Sequence, residues 1–150
     1  MNLTNSFNIS SSALTAQRLR MDIISSNIAN AETTRGKLVE GEWVPYQRKV
    51  VVTEANDPPS FDKVFQSKLN SNSVGNGVKV TQIVEDQSPF KRIYQPTHPD
   101  ANEEGFVYMP NVDILKEMVD MISATRSYEA NVTALNASKS MFMKALEIGR

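Results

Sequence analysis

VDILKEMVDMISATRSYEANVTALNASKSMFMKALEI, residues 112–148, carries a seven-residue repeat that governs the architecture of the chain. Ile114, Met121, Tyr128, Leu135 and Phe142 recur in it every seven positions, and Met118, Thr125, Val132, Lys139 and Leu146 run four residues behind each of them. Together they give a seam of period 3.5, the spacing that keeps one stripe of a helix facing another helix through a left-handed supercoil. Neither proline nor glycine interrupts the stretch, so it reads as one helix of about ten turns, roughly 55 Å long. Pro110, an N-cap at Asn111 and the carboxylate of Asp113 in the first turn mark its start, and Gly149 follows its end.

The seven-residue period returns at the other end of the chain. Phe7, Leu14, Met21 and Ile28 are seven apart, with Ile24 and Ala31 completing the seam on one side and polar Ser10 and Gln17 standing where apolar residues would extend it. Serine, threonine and asparagine crowd the first twelve residues and compete with the helical backbone for hydrogen bonds. The pattern predicts a helix from about Ser10 to Asn30 behind a first segment that is weakly ordered alone. Ala29 and Ala31 are small enough for another backbone to approach. Asn27 and Asn30 could bond across such a contact, or satisfy the last carbonyls of the helix before the loop at Gly36.

Between the helical arms lie about seventy residues of different character. Trp43 to Tyr46 and Lys49 to Thr53 are aromatic and β-branched, with Pro45 at an edge or a break. Asn56 to Ser60 is turn-like, Phe61 to Leu69 suits a short helix, and Gly75-Asn76-Gly77 is a turn before a strand over Val78 to Val84. Phe90 to Tyr94 is read as a partner for that strand. The fold class expected is α+β: N- and C-terminal helices paired as a coiled-coil inner domain, with a small β-rich outer domain inserted between them. The segments are 1–34, 35–110 and 111–150.

The composition narrows the function. Of 150 residues 16 are basic and 17 acidic, a balance that does not suit electrostatic binding to nucleic acid or an anionic membrane. With no cysteine, disulfides and thiolate chemistry are excluded. No apolar run reaches the roughly 20 residues that span a bilayer, so no membrane insertion is expected. The N-terminus lacks a basic residue before Arg18 and fails as a cleavable signal peptide. His98, Asp100, Glu103 and Glu104 gather histidine and carboxylates in one loop, but two flanking prolines and the absence of a second histidine favour a solvated, stiffened loop over a metal site. No phosphate loop or nucleophile elbow is present, so neither catalysis nor a cofactor is expected.

Two readings of the seams remain: a subunit that assembles through them, or a soluble coiled-coil adaptor. The segments Asn27-Ile28-Ala29-Asn30-Ala31-Glu32-Thr33-Thr34, Pro45-Tyr46-Gln47-Arg48-Lys49, His98-Pro99-Asp100-Ala101-Asn102, Pro110-Asn111-Val112-Asp113 and Glu117-Met118-Val119-Asp120-Met121-Ile122 decide between them. In that order, along nearly the whole chain, they resemble the axial proteins of the bacterial flagellum, and among those the proximal-rod proteins of the basal body. Thr34-Arg35-Gly36 departs from the Thr-Pro-Gly of many axial proteins.

The resemblance implies a non-enzymatic structural subunit whose terminal helices line a helical tube that carries motor torque. It implies copies of itself and other rod proteins as partners, and passage through the flagellar type III export apparatus with an uncleaved N-terminus. Leu14, Met21, Ile28, Ile114, Met118, Met121, Tyr128, Val132, Leu135, Phe142 and Leu146 are the expected packing residues, and Asn27 and Asn30 the expected inter-subunit hydrogen-bonders.

Overall fold

A computed structural model describes residues 3–56, 65 and 77–148. Its elements, in order, are α1 (Leu3–Ala29), β1 (Lys37–Val39), β2 (Glu42–Val44), β3 (Lys49–Ala55), β4 (Val78–Glu85), β5 (Lys91–Tyr94), β6 (Phe106–Met109) and α2 (Ile114–Ile148). The α+β class follows directly: long terminal helices that pack on one another flank a region of short strands. The short helix expected over Phe61 to Leu69 lies, apart from Phe65, outside the described residues, as do Asp57 to Ser60 and Gly75-Asn76.

Contacts divide the chain into two compact units that the long helices traverse. One comprises residues 1–18, 52–82 and 126–150; the other comprises 19–51 and 83–125. In the first, α1 begins at Leu3, not near Ser10. The hydroxyls that were expected to weaken its start turn back along the helix instead: Ser12 Oγ donates to Ile9 O at 2.8 Å and Thr15 Oγ1 to Ser11 O at 3.1 Å. Ser12 Oγ also accepts the Val78 N–H at 3.2 Å, which joins the helix to the start of β4. Gly77 makes that approach possible. Its φ of +97° suits glycine, and a Cβ there would collide with Ser12 Oγ.

In the second unit, the end of α1 packs against the start of α2 with the chains running in opposite directions. Asn27 meets Glu117, and two turns earlier on α1 Met21 Sδ lies 3.6 Å from Thr125 Oγ1. The N-cap of α2 is Asp113, not Asn111: Asp113 Oδ1 accepts the Leu115 N–H at 3.0 Å. Asn111 is diverted because its Oδ1 accepts the Arg48 N–H at 2.8 Å. Asn30 closes α1, donating from its amide to Ser26 O at 2.8 Å.

The strands form two-stranded ladders: β1 with β2, β3 with β4, and β5 with β6. The β1–β2 hairpin turns on Glu40 (φ +52°) and Gly41 (φ +93°), the type I′ geometry that matches strand twist, and pairs Leu38 with Trp43. Pro45 ends the aromatic run as a break after Val44. The segment Lys91 to Tyr94 pairs antiparallel with Phe106–Met109 and not with β4. Side chains favour that choice. Tyr94 and Phe106 meet edge to face at 5.3 Å, and the Arg92 guanidinium lies 4.8 Å from the centre of the Phe106 ring.

Candidate functional site

Four segments far apart in sequence converge on a polar cluster in the second unit. Asn27, at the end of α1, is 1% exposed and uses its whole amide inside the chain. Its Oδ1 accepts the Lys49 N–H and the Tyr46 hydroxyl, each at 3.0 Å, while Nδ2 donates to Lys49 O at 2.9 Å and to Glu117 Oε2 at 3.0 Å. All four hydrogen-bonding positions are filled. Its place in the cluster follows from its helix position, which turns it toward the strand that begins at Lys49.

Glu117 stands in the first turn of α2 and is fully buried. Its second oxygen, Oε1, accepts Arg48 Nε at 2.7 Å. Arg48 reaches further, to Asp86 Oδ2 at 3.4 Å and Asp120 Oδ2 at 3.6 Å. Asn111 braces the loop after β4, donating to Asp86 O at 3.0 Å and Ser88 O at 3.1 Å. Burial alone would depress the Arg48 pKa, but the hydrogen bond and charge of Glu117, reinforced by Asp86, raise it and keep the guanidinium charged. The cluster is a lock between helix ends and strands, in which one buried carboxylate holds both the Asn27 amide and the Arg48 guanidinium. Beside it lies a cavity of about 100 Å³ lined by Arg20, Ile24, Lys49, Val51 and Asp120 among others, well below the roughly 300–1,000 Å³ of an organic ligand site.

A second set of contacts ties the loop between β5 and β6 to the chain after α1. Asp100 accepts Thr34 Oγ1 at 2.8 Å and Arg35 Nε at 2.8 Å, and its own N–H donates to His98 Nδ1 at 3.1 Å. Glu104 faces Arg92 at 3.8 Å. Among the described residues, no group of three or more histidines and carboxylates is arranged to hold a metal ion.

The Arg35 hydrogen bond, followed by that of Thr34, holds the Asp100 pKa below the ordinary 3.8; Ser88, followed by Arg48, does the same for Asp86. A carboxylate depressed by folding stabilises the fold above its unfolded pKa, and that contribution is lost as pH falls through the folded value. Stability should therefore decline as the pH drops below 3.8, and Asp100→Asn should flatten the decline. Urea titrations of both chains between neutral and acid pH will measure it, and parallel curves would refute the assignment.

The seam residues divide. Leu14, Met21, Ile28, Met121, Tyr128, Val132 and Leu135 are half-buried on their own chain, whereas Ile114, Met118, Phe142 and Leu146 are exposed. Beside Met121, Tyr128 and Leu135 the more deeply buried series is Glu117, Ala124, Asn131 and Ser138, three residues behind Ile114, Met121, Tyr128 and Leu135, while Thr125 and Val132 of the series four behind are half-buried. Asn27 and Asn30, expected to reach a neighbouring subunit, make the intrachain bonds described above. Arg48, Asp86 and Glu117 were not singled out by the sequence, although Arg48 and Glu117 lie in the segments that carried the resemblance.

Paired terminal helices, an inserted β region, a structural polar lock and apolar helix surface facing outward define a subunit built to assemble. The chain matches the family model described as "Flagella basal body rod protein" over residues 7–36, and "Flagellar basal body rod FlgEFG protein C-terminal" over 103–148. Relatives named flagellar basal-body rod protein FlgC match end to end. That of Bacillus subtilis (strain 168) is 60% identical over 100% of both chains, that of Borreliella burgdorferi 45% over 99% of this chain and 98% of its own, and that of Escherichia coli O157:H7 43% over 100% of both. The chain belongs to the FlgC family of flagellar basal-body rod proteins.

Proposed function

We infer that the chain is a structural subunit of the flagellar basal-body rod, located in the basal body and assembled with copies of itself and with other rod proteins. The observation that carries this reading, beside the full-length family match, is the apolar surface of α2 that its own chain leaves bare. Ile114, Leu115, Met118, Val119 and Ile122 are exposed near its start, and Met141, Phe142, Met143, Leu146 and Ile148 near its end. Isolated exposed apolar residues need no explanation, but runs of them at helical spacing mark interaction surfaces. An enzyme would instead need a pocket with convergent reactive groups.

In this reading segments 1–34 and 111–150 form the inner, helical part of a tube and 35–110 the outer part. The inward seam residues, Leu14, Met21, Ile28, Met121, Tyr128, Val132 and Leu135, hold the two helices together. Exposed Ile114, Met118, Phe142 and Leu146 meet neighbouring subunits. Burial of that surface at about 25 cal/mol per Å² offsets the cost of association. Head-to-tail contacts that do not close generate a helical assembly, which can transmit torque as a shaft. The subunit travels through the type III export apparatus with its N-terminus uncleaved. It neither enters the membrane nor binds nucleic acid; among the described residues, no helix is long and apolar enough to cross a bilayer.

Met118→Glu and Leu146→Glu should each leave the chain folded, because both side chains are exposed, and should exclude it from basal bodies. Circular dichroism of the purified variants reads the first outcome, and detection of the chain in basal bodies isolated from complemented cells reads the second. Incorporation at the wild-type level with full motility would refute the assembly role of these residues.

A further inference from the structure

In the unit formed by residues 19–51 and 83–125, α2 has two dissimilar faces. Glu117, Met121 and Ala124 turn inward. Leu115, Met118, Val119 and Ile122 follow the i, i+3, i+4, i+7 spacing of the opposite face and are between 51% and 76% exposed. The same unit carries a second bare apolar feature of a different shape. The β1–β2 hairpin places Leu38 and Trp43 directly opposite each other, hence on one face of the ribbon, and each is 56% exposed. Its tight turn fixes that pair on a narrow two-stranded finger.

We propose that the hairpin of one copy docks through Leu38 and Trp43 onto the Leu115, Met118, Val119, Ile122 stripe of the next copy. This rests on the rod-subunit reading, which puts identical chains side by side. Charge supports the match. Glu40 stands in the turn at the tip of the finger and Lys116 borders the stripe, and neither side chain has an ionic partner among the described residues. A second copy therefore supplies both the apolar cover and the opposite charge, as a complementary interface does. Tryptophan is the residue type that most often anchors such contacts, through a large rigid area and little lost entropy. Because finger and stripe are different surfaces, the contact is heterologous: each copy offers a free finger at one side and a free stripe at the other, and the contact propagates rather than closing into a two-fold dimer.

The chain has no cysteine, so single thiols can be placed without background. Leu38→Cys puts one beside Trp43, and Ser123→Cys puts one beside Ile122, both at exposed positions. Copies carrying one or the other are co-expressed in cells lacking the native chain, basal bodies are isolated, and mild oxidation is applied. A disulfide requires the two backbones to approach within about 7 Å. The expected result is a covalent dimer when both copies are present, background when either is present alone, and loss of the dimer when Trp43→Glu is added to the Leu38→Cys copy. Three outcomes overturn the proposal while leaving the rod reading intact: both variants present in basal bodies without a mixed dimer, dimers between two Leu38→Cys copies, or an adduct of that copy with a different protein. Absence of the unmodified chain from basal bodies would overturn the rod reading and this proposal with it.

Discussion

Glu117→Ala should destabilise the chain by roughly 3–5 kcal/mol, the cost of breaking a buried ion pair by removing one partner. The magnitude follows from what is left behind. Arg48 keeps its charge but loses its 2.7 Å acceptor, and Asn27 Nδ2 loses one of its two acceptors in a site that water does not reach freely. Asp86 at 3.4 Å and Asp120 at 3.6 Å are already placed near the guanidinium and can recover part of the loss. Glu117→Gln should also destabilise, because its amide would set an N–H against a donor from either Asn27 or Arg48. Paired replacement of Glu117 and Arg48 by leucine and methionine should cost far less than Glu117→Ala alone, since buried ion pairs are expensive to break and cheap to replace. Urea unfolding followed by the fluorescence of Trp43, the single tryptophan, measures all of these. If Glu117→Ala unfolded at the wild-type midpoint, the lock would have no energetic role.

The second large effect is expected at Asn27. Asn27→Ala deletes four hydrogen bonds at once and strands the Lys49 N–H and carbonyl, at about 1–3 kcal/mol for each group left buried and unpaired. The Tyr46 hydroxyl softens the loss, because Ser26 Oγ is already 3.5 Å away. A total of roughly 2–6 kcal/mol is expected. Asn27→Asp is the more diagnostic change. It preserves shape and both accepted bonds but sets a carboxylate against Glu117, so the new group's pKa should rise. A raised carboxylate pKa destabilises at neutral pH, and the penalty should shrink as the pH falls through the raised value. A penalty for Asn27→Asp that is independent of pH would contradict the Asn27–Glu117 contact.

The helices were legible because period 3.5 is a strong signal over five repeats, and β2, β3 and β4 in part because aromatic and β-branched residues cluster there, whereas Lys37–Val39 of the hairpin carried too short a pattern to be read. Which side of α2 turns inward was harder to read. Apolarity marks a buried face when a helix has one apolar side, but α2 is apolar on two, and the series beside Met121, Tyr128 and Leu135 that is more deeply buried is the less apolar one, Glu117, Ala124, Asn131 and Ser138. Glu117 in a first helical turn looks like an ordinary complement to the helix dipole. Its burial depends on Asn27, 90 residues away, and Arg48, 69 residues away, and no local pattern encodes that meeting. Strand pairing failed for a similar reason: Lys91 to Tyr94 has a suitable composition for either neighbour, and the choice of Phe106–Met109 depends on the Tyr94 and Phe106 rings. At the N-terminus, propensity underrated hydroxyls that can bond back along the helix, as Ser12 and Thr15 do.

The most direct test of the structural role is cryo-tomography of basal bodies in cells from which this chain alone has been deleted. A rod subunit predicts rods that stop short or are missing, no external filament and no swimming, all restored by the wild-type chain. Complete rods and normal motility without it would show that the chain is not a structural part of the rod.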